Sequence, residues 1–341
     1  MNRRLPFKTP KITCYNQHAN LLAIISQTDD YLPWFYNNYF QLQFTNDIYN
    51  REVMARLDFE MPLLFEACPF LERQTMSRLF IDRLWSDASS FICECIDSEY
   101  YVYITIDTFY IDCYPDYQNH HGQHPILVLG YDMDNHTVFA ADNFAGGQYT
   151  VKVISMTQLD QAYNIYDAKP VDVFMDGVTL FKYNNHNQFW DWHHDYEFDC
   201  TFMKNSIKDF LNSKGLNDYG IIGIEQWKGT TLVYGRSCYD GINEYLNKIP
   251  YYDRRTFYVL WEHKKIMTER IEYMVNNHII PKNDELFDVF HLIEHDALML
   301  QNKWIKYGLS RKDDTLYQVQ LQFNNIVDRE YEAFVQLHDF L

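Results

Sequence analysis

The 341-residue chain predicts an α+β protein in two parts: a sheet-bearing unit over residues 1–185 and a mainly helical unit over 186–341. Three observations carry that expectation. Short β-rich runs crowd residues 100–155, with Gly, Asp and Asn between them. A helical pattern precedes them near the N-terminus. Beyond about residue 200, apolar residues recur at three- and four-residue spacing, with many charges on the other face.

The first helix is expected from Cys14 to Gln27, with Thr13 as its N-cap. Cys14, His18, Leu21, Leu22 and Ile25 fall on one face of it. Residues 74–95, "QTMSRLFIDRLWSDASSFICEC", read as a second helical region. Strands follow at "YYVYITID" (100–107), "PILVLGYD" (125–132), "HTVFAAD" (136–142) and "GQYTVKVIS" (147–155). "DMDN" at 132–135 suits a tight turn between two antiparallel strands. A short helix after residue 155 and further strand character at 171–183 complete the first unit. The polar, aromatic segment 184–199 reads as a connection. Helices are then expected at about 202–214, 239–248, 254–277, 283–307 and 312–339.

Composition narrows the partners. The formal net charge of −18 repels phosphate backbones and anionic lipid heads, which argues against nucleic acid and favours a cationic or polyamine-like small substrate. No stretch reaches the roughly 18 uninterrupted apolar residues of a membrane span. The basic start "MNRRLPFKTPKIT" has no apolar segment after it, so no secretory signal is read. Seven cysteines without regular spacing fit reduced thiols in a cytoplasm.

One constellation carries chemistry. His124 opens a strand and Asp142 closes the next, so a hairpin turning at 132–135 sets them close across the ladder. With position 143 opposite His124, a carboxylate–imidazole bond is within reach, although a one-residue slip would turn the side chain away. Such a pair needs a nucleophile. Cys14, at a helix start where the dipole favours a thiolate, is the candidate, and Cys113 is the reserve. His18 reads as a packing residue. A small buried hydrophobe is the plain alternative for any cysteine. "HHGQH" at 120–124 could instead gather a metal, but its spacings in a loop do not make a zinc site, and none is assigned.

"TCYNQHANLLAII" together with "VYITIDTFYIDCYPDYQNHHGQHPILVLGYDMDNHTVFAADNF" resembles the family named for the N-terminal domain of the butirosin-biosynthesis acyltransferase H. That family belongs to the papain-like cysteine-protease superfamily, near the peptidases that trim bacteriocin leaders. The resemblance covers about residues 10–185. It implies a papain-like fold with Cys14 as nucleophile, His124 as general base and Asp142 as the group orienting the imidazole. It also implies a pocket organised by Asp107, with Tyr110 and His121 among its substrate-binding residues. The implied reaction moves an acyl group from a carrier-protein or pantetheine thioester, through Cys14, to an amine of a small molecule in bacterial secondary metabolism. No bound cofactor is implied, because phosphopantetheine arrives on the donor. A cysteine peptidase or amidase, or a non-catalytic biosynthetic scaffold, are the alternatives. One departure stands out: Lys11, Ile12 and Thr13 occupy positions where papain-like enzymes usually carry a glutamine for the oxyanion hole.

Overall fold

The computed structural model describes residues 2–45, 56–61, 64–66, 68–164, 177–184, 196–215 and 232–341. The expected connection at 185–195 and the start of the 171–183 strand lie outside these residues. In chain order the elements begin with β1 (Asn2–Arg4), α1 (Asn16–Ile25), α2 (Leu32–Asn38), β2 (Leu42–Thr45), β3 (Leu57–Phe59) and β4 (Leu71–Ser77). Next come α3 (Arg78–Leu84), α4 (Ala88–Asp97), β5 (Tyr101–Asp107), β6 (Gln123–Asp132), β7 (Thr137–Asn143) and β8 (Tyr149–Ser155). They are followed by α5 (Met156–Tyr163), β9 (Gly177–Tyr183), α6 (Cys200–Leu211) and β10 (Leu232–Tyr234). The chain finishes with α7 (Ser237–Lys248), α8 (Arg255–Asn276), α9 (Asp284–Ser310) and α10 (Asp313–Phe340).

The molecule is α+β, and every strand pairing among the described residues is antiparallel. It divides into two compact units, and the division is not a single cut near residue 185. Met1–Tyr31 and Leu63–Asp195 form one unit, and Leu32–Pro62 joins Tyr196–Leu341 in the other.

The first unit holds a seven-stranded sheet in the order β4-β9-β5-β6-β7-β8, with β1 added to β6. β5 is central and buried along almost its whole length, as its run of Val and Ile requires. Helix α4 packs on β5 and β6, and α1 packs on β6, β7 and β9. Residues 74–95 are not one helical region. Tyr183 to Gly177 of β9 recruit Leu71–Ser77 into an edge strand, and that pairing overrides helix propensity. Ser77 then caps α3 by accepting from Phe80 N, and Asp87 caps α4 by accepting from Ser90 N.

The hairpin of β6 and β7 contains a β-bulge. Asp132, Tyr131 and Gly130 face Thr137, Val138 and Phe139, and the register then shifts so that Val128 and Leu127 face Ala140 and Ala141. Leu129 is the extra residue, and its carbonyl instead accepts from Leu5 N at 2.8 Å. Just past it, Gly130 lies under β1, where a Cβ would meet Arg3 O at 2.6 Å and Arg4 Cα at 2.8 Å.

The second unit is mainly helical but also contains a small sheet, β10-β2-β3, whose strands of three or four residues leave little pattern to read. Its five long helices match the periodic segments closely. α8 is buried on most of its circumference and carries two sets of buried charge. Arg270 donates from Nε to Tyr36 O at 2.6 Å and from Nη2 to Tyr39 O at 2.7 Å, which satisfies carbonyls at the end of α2. Burial pulls its guanidinium down to about 9, still cationic at neutral pH.

Lys264 donates to Glu330 Oε1 at 2.5 Å, to the Tyr239 hydroxyl at 2.7 Å and to His263 Nδ1 at 3.1 Å. Tyr239 donates in turn to Glu330. His263 gives its Nε2 proton to Phe40 O at 2.8 Å, so Nδ1 is free to accept from the lysine. Burial, followed by the charge on Lys264, holds this imidazole well below 6.5 and therefore neutral.

Two outcomes test this account. Glu330→Ala should lower unfolding free energy by about 3–5 kcal/mol, because Lys264 is left buried without its carboxylate, whereas Lys264→Met combined with Glu330→Leu should cost much less. Urea denaturation of the three proteins reads the difference. Gly130→Ala should destabilise by about 1–3 kcal/mol, since the atoms it meets are backbone and cannot rotate away. A thermal midpoint equal to wild type would contradict that packing.

Candidate active site

The opening of β6 is stiffened by its sequence. Pro125 confines His124 to extended backbone and supplies no ladder N–H of its own. Pro125 pairs with Thr105 and His124 with Ile106. Because of the bulge, the register carried past Leu127 sets His124 level with Phe144 rather than position 143. His124 and Asp142 thereby share a face, one diagonal apart. An unbulged ladder from the same turn would have put them on opposite faces.

The side chains meet. His124 Nδ1 lies 2.9 Å from Asp142 Oδ2. The contact is close in distance but off-angle, so Nδ1 has no well-directed hydrogen-bond partner. Burial opposes charging this imidazole, but the close approach and charge of the Asp142 carboxylate, with help from the Pro125 backbone and Asp116, outweigh it and raise His124 above 6.5. The side chain is 39% exposed, and Nε2 has no partner among the described residues.

Asp142 is fully buried. Its Oδ1 accepts from Asn16 Nδ2 at 3.0 Å, and its Oδ2 accepts from the Tyr114 hydroxyl. Burial, then the neighbouring carboxylate, raises Tyr114 well above 10, so it remains a donor. Asn16 Nδ2 also donates to Pro125 O at 2.7 Å. Sequence reasoning missed both residues. Asn16 was visible as a polar side chain at the head of the helix, followed by Gln17 and His18, and Tyr114 as a member of the aromatic loop 109–117, "FYIDCYPDY".

Cys14 stands two places earlier, relative to the helix, than expected. Helix α1 starts at Asn16, with extended Tyr15 in the cap position and no side-chain cap bond, so Thr13 is not the N-cap and Cys14 precedes the first turn. Thr13 has another role: its carbonyl accepts from Asn143 Nδ2 at 2.8 Å. Cys14 is therefore bracketed by Thr13, tied to the residue after Asp142, and by Asn16, tied to Asp142 itself and to the residue after His124. Tyr149 adds a bond from β8 to Asn20 Oδ1 at 2.6 Å, which fixes α1 on the sheet. Cys14 is half-buried. His18 is buried inside α1.

Five other thiols are held protonated. Burial first raises Cys113 to about 12, with Asp112 and Asp142 adding to it, which removes it as reserve nucleophile. Cys68 and Cys95 reach about 12 and Cys93 about 11, mainly by burial, and buried Cys238 stands well above 9.

Asp107, Tyr110 and His121 gather at the end of β5, where Asp107 faces Gln123 while His124 faces Ile106, so strand alternation sets the Asp107 side chain on the face opposite His124. Asp107 Oδ2 lies 2.6 Å from His121 Nδ1, and Tyr110 meets the His121 ring edge-on at 6.0 Å between centroids. His121 and His124 each face their own carboxylate, and among the described residues no group of three or more His, Cys, Asp or Glu is arranged to hold a metal ion. Comparison of the chain with protein-family models found no matching family, and comparison with curated proteins found no match.

Asp142→Asn should move the His124 titration, followed by NMR of the imidazole protons, below its wild-type midpoint, because burial remains and the carboxylate is gone. The raised value also fixes a sign for stability. The pair contributes fully below the unfolded imidazole value near 6.5, and this contribution fades as pH climbs through the raised folded value. The stability gap between wild type and Asp142→Asn should thus be wider at pH 5.5 than at pH 8.5.

Proposed function

We propose that the protein is a cysteine-dependent acyltransferase with papain-like architecture, acting through Cys14, His124 and Asp142. The observation that carries this reading is the bracketing of Cys14: both flanking anchors belong to the strand ends that bear the His–Asp pair. A thiol held by its neighbours at the mouth of such a pair has the components of a nucleophile, a base and an orienting acid.

Asp142 sets the Nδ1–H tautomer of His124, which leaves Nε2 to take the Cys14 proton. The start of α1 favours the resulting thiolate through its dipole. The sulfur attacks a pantetheine thioester, free or on a carrier protein, and His124 returns the proton to the departing thiol. Attack by an amine on the acyl-cysteine then releases the amide, with His124 accepting the second proton. Asn16 cannot serve the oxyanion, because its amide protons already go to Asp142 and Pro125. The donors fall to backbone N–H groups at the head of α1. A thioester tolerates this modest hole better than a peptide bond, since its leaving group departs more easily. The net charge of −18 raises the local concentration of a protonated amine.

Mixing the protein with acetyl- or acyl-pantetheine and measuring intact mass should show a single acyl adduct. It should map to Cys14 and vanish in Cys14→Ala. His124→Ala should slow its formation on the order of 10²–10⁴-fold. An adduct that persists in Cys14→Ala would overturn the assignment, and rapid loss to water that added amines do not divert would mark a hydrolase.

A further inference from the structure

Asp142 meets two groups through one oxygen. Its Oδ2 accepts from the Tyr114 hydroxyl, and His124 Nδ1 stands 2.9 Å from that same atom without good alignment. Oδ1 already accepts from Asn16 Nδ2. The three groups therefore divide one negative charge, and each well-directed donor weakens what the carboxylate offers the next. On Oδ2 the phenol is the better placed of the two, and the imidazole takes what remains.

Tyr114 is fixed in this position. It is buried, and its ring packs on His124 with centroids 5.6 Å apart and planes 50° from parallel, and on Phe144 at 5.2 Å and 55°. The backbone on either side is tied down: Ala145 N donates to Cys113 O at 3.1 Å, Tyr114 N to Ile111 O at 3.1 Å and Tyr117 N to Tyr114 O at 3.2 Å. One residue thus touches both members of the pair, the imidazole through its ring and the acid through its hydroxyl. A phenylalanine would fill the same space; the hydroxyl is the part that reaches the acid. Asp116, in the same loop, and the Pro125 backbone favour protonated His124. Tyr103 of β5, Tyr149 of β8 and Cys113 also feel the Asp142 charge, but burial, with that charge added, keeps all three protonated. At the head of α1, Cys14 is the titratable side chain and Asn16 the uncharged contact.

A general base must be oriented by its acid and yet remain uncharged. An imidazole given the whole of a buried carboxylate charges too readily, and at neutral pH it has no lone pair left for a thiol proton. We propose that Tyr114 is a positioning residue that holds part of Asp142 away from His124 and so leaves Nε2 free to accept the Cys14 proton. The competition at Asp142 stands on the contacts above, and its effect on acylation rests on the acyl-transfer reading. The proton moves from Cys14 Sγ to His124 Nε2, while Tyr114 keeps its own throughout.

The test is Tyr114→Phe in the full chain, which keeps the ring and removes the hydroxyl. The His124 titration midpoint, followed by NMR on the imidazole signal that His124→Gln removes, should rise by about 0.5–1 pH unit, the worth of one hydrogen bond. Asp142→Asn moves it the other way. The double variant Tyr114→Phe with Asp142→Asn should titrate like Asp142→Asn alone, because Tyr114 acts through the carboxylate. The acid limb of Cys14 acylation by acetyl-pantetheine should move up with the midpoint: at pH 6 the rate should fall about three- to tenfold, while the plateau at pH 9 stays within about twofold of wild type. A midpoint in Tyr114→Phe that is unmoved or lowered would overturn the inference. So would a further shift in the double variant, which would mean a direct action of the phenol on the imidazole, and so would a loss at the plateau without a moved limb, the mark of packing alone. Absence of a Cys14 adduct in the wild type would be a separate failure, that of the acyl-transfer reading, and would remove the effect on acylation; the NMR titrations would still decide the competition at Asp142.

Discussion

A carboxylate removed from water must be given donors, and Asp142 organises the first unit around that requirement. Its oxygens draw in the head of α1 through Asn16, the aromatic loop through Tyr114 and the opening of β6 through His124. These segments are far apart in sequence and have little reason to converge otherwise. Each bond to a charged acceptor is worth about 1.5–3 kcal/mol, so the site is also a structural joint. The bonds that satisfy this carboxylate also fix the head of α1, and the position of Cys14 follows from them.

Three buried carboxylates in the molecule illustrate how a charge in the interior can be used. Glu330 is closed on every side: Lys264 and Tyr239 take its oxygens, and the lysine spends its remaining proton on His263. No atom of that network is left to meet a ligand. Asp107 and Asp142 are equally dry, but each ends on an imidazole that reaches the surface. The distinction lies in where the chain of donors terminates. A closed network specifies packing, while an open one presents a tuned nitrogen to whatever enters.

Much of this was legible in the residues. The long helices of the second unit were readable because three- and four-residue spacing persists over many turns, and β5 to β8 because Gly, Asp and Asn mark their ends. His124 and Asp142 could be paired because a hairpin connects them locally. Gln74–Ser77 was expected to be helical and is strand, because its strand identity comes from β9, a hundred residues or more away. The short strands β2, β3 and β10 are defined by one another and carry little period. Tyr114 and Asn16 were invisible as ligands of Asp142, since a side-chain bond across such separations leaves no spacing to detect. The bulge was hidden for a related reason: nothing in "ILVLGYD" marks Leu129 as the residue that drops out of pairing.

That dropped residue divides the hairpin into two zones of unequal tolerance. Side-chain orientation alternates with every position, so one residue added or removed between Leu129 and the strand end at His124 would exchange the two faces of β6 and aim the imidazole away from its acid. On the distal side, the Asp132 carboxylate already organises the tip by accepting from Asp134 N and Asn135 N, and the turn there bears on neither pair. Variation in length is therefore expected to collect at residues 133–136, which makes that tip a natural place to insert a reporter peptide without disturbing the end of the sheet that bears His124 and Asp142.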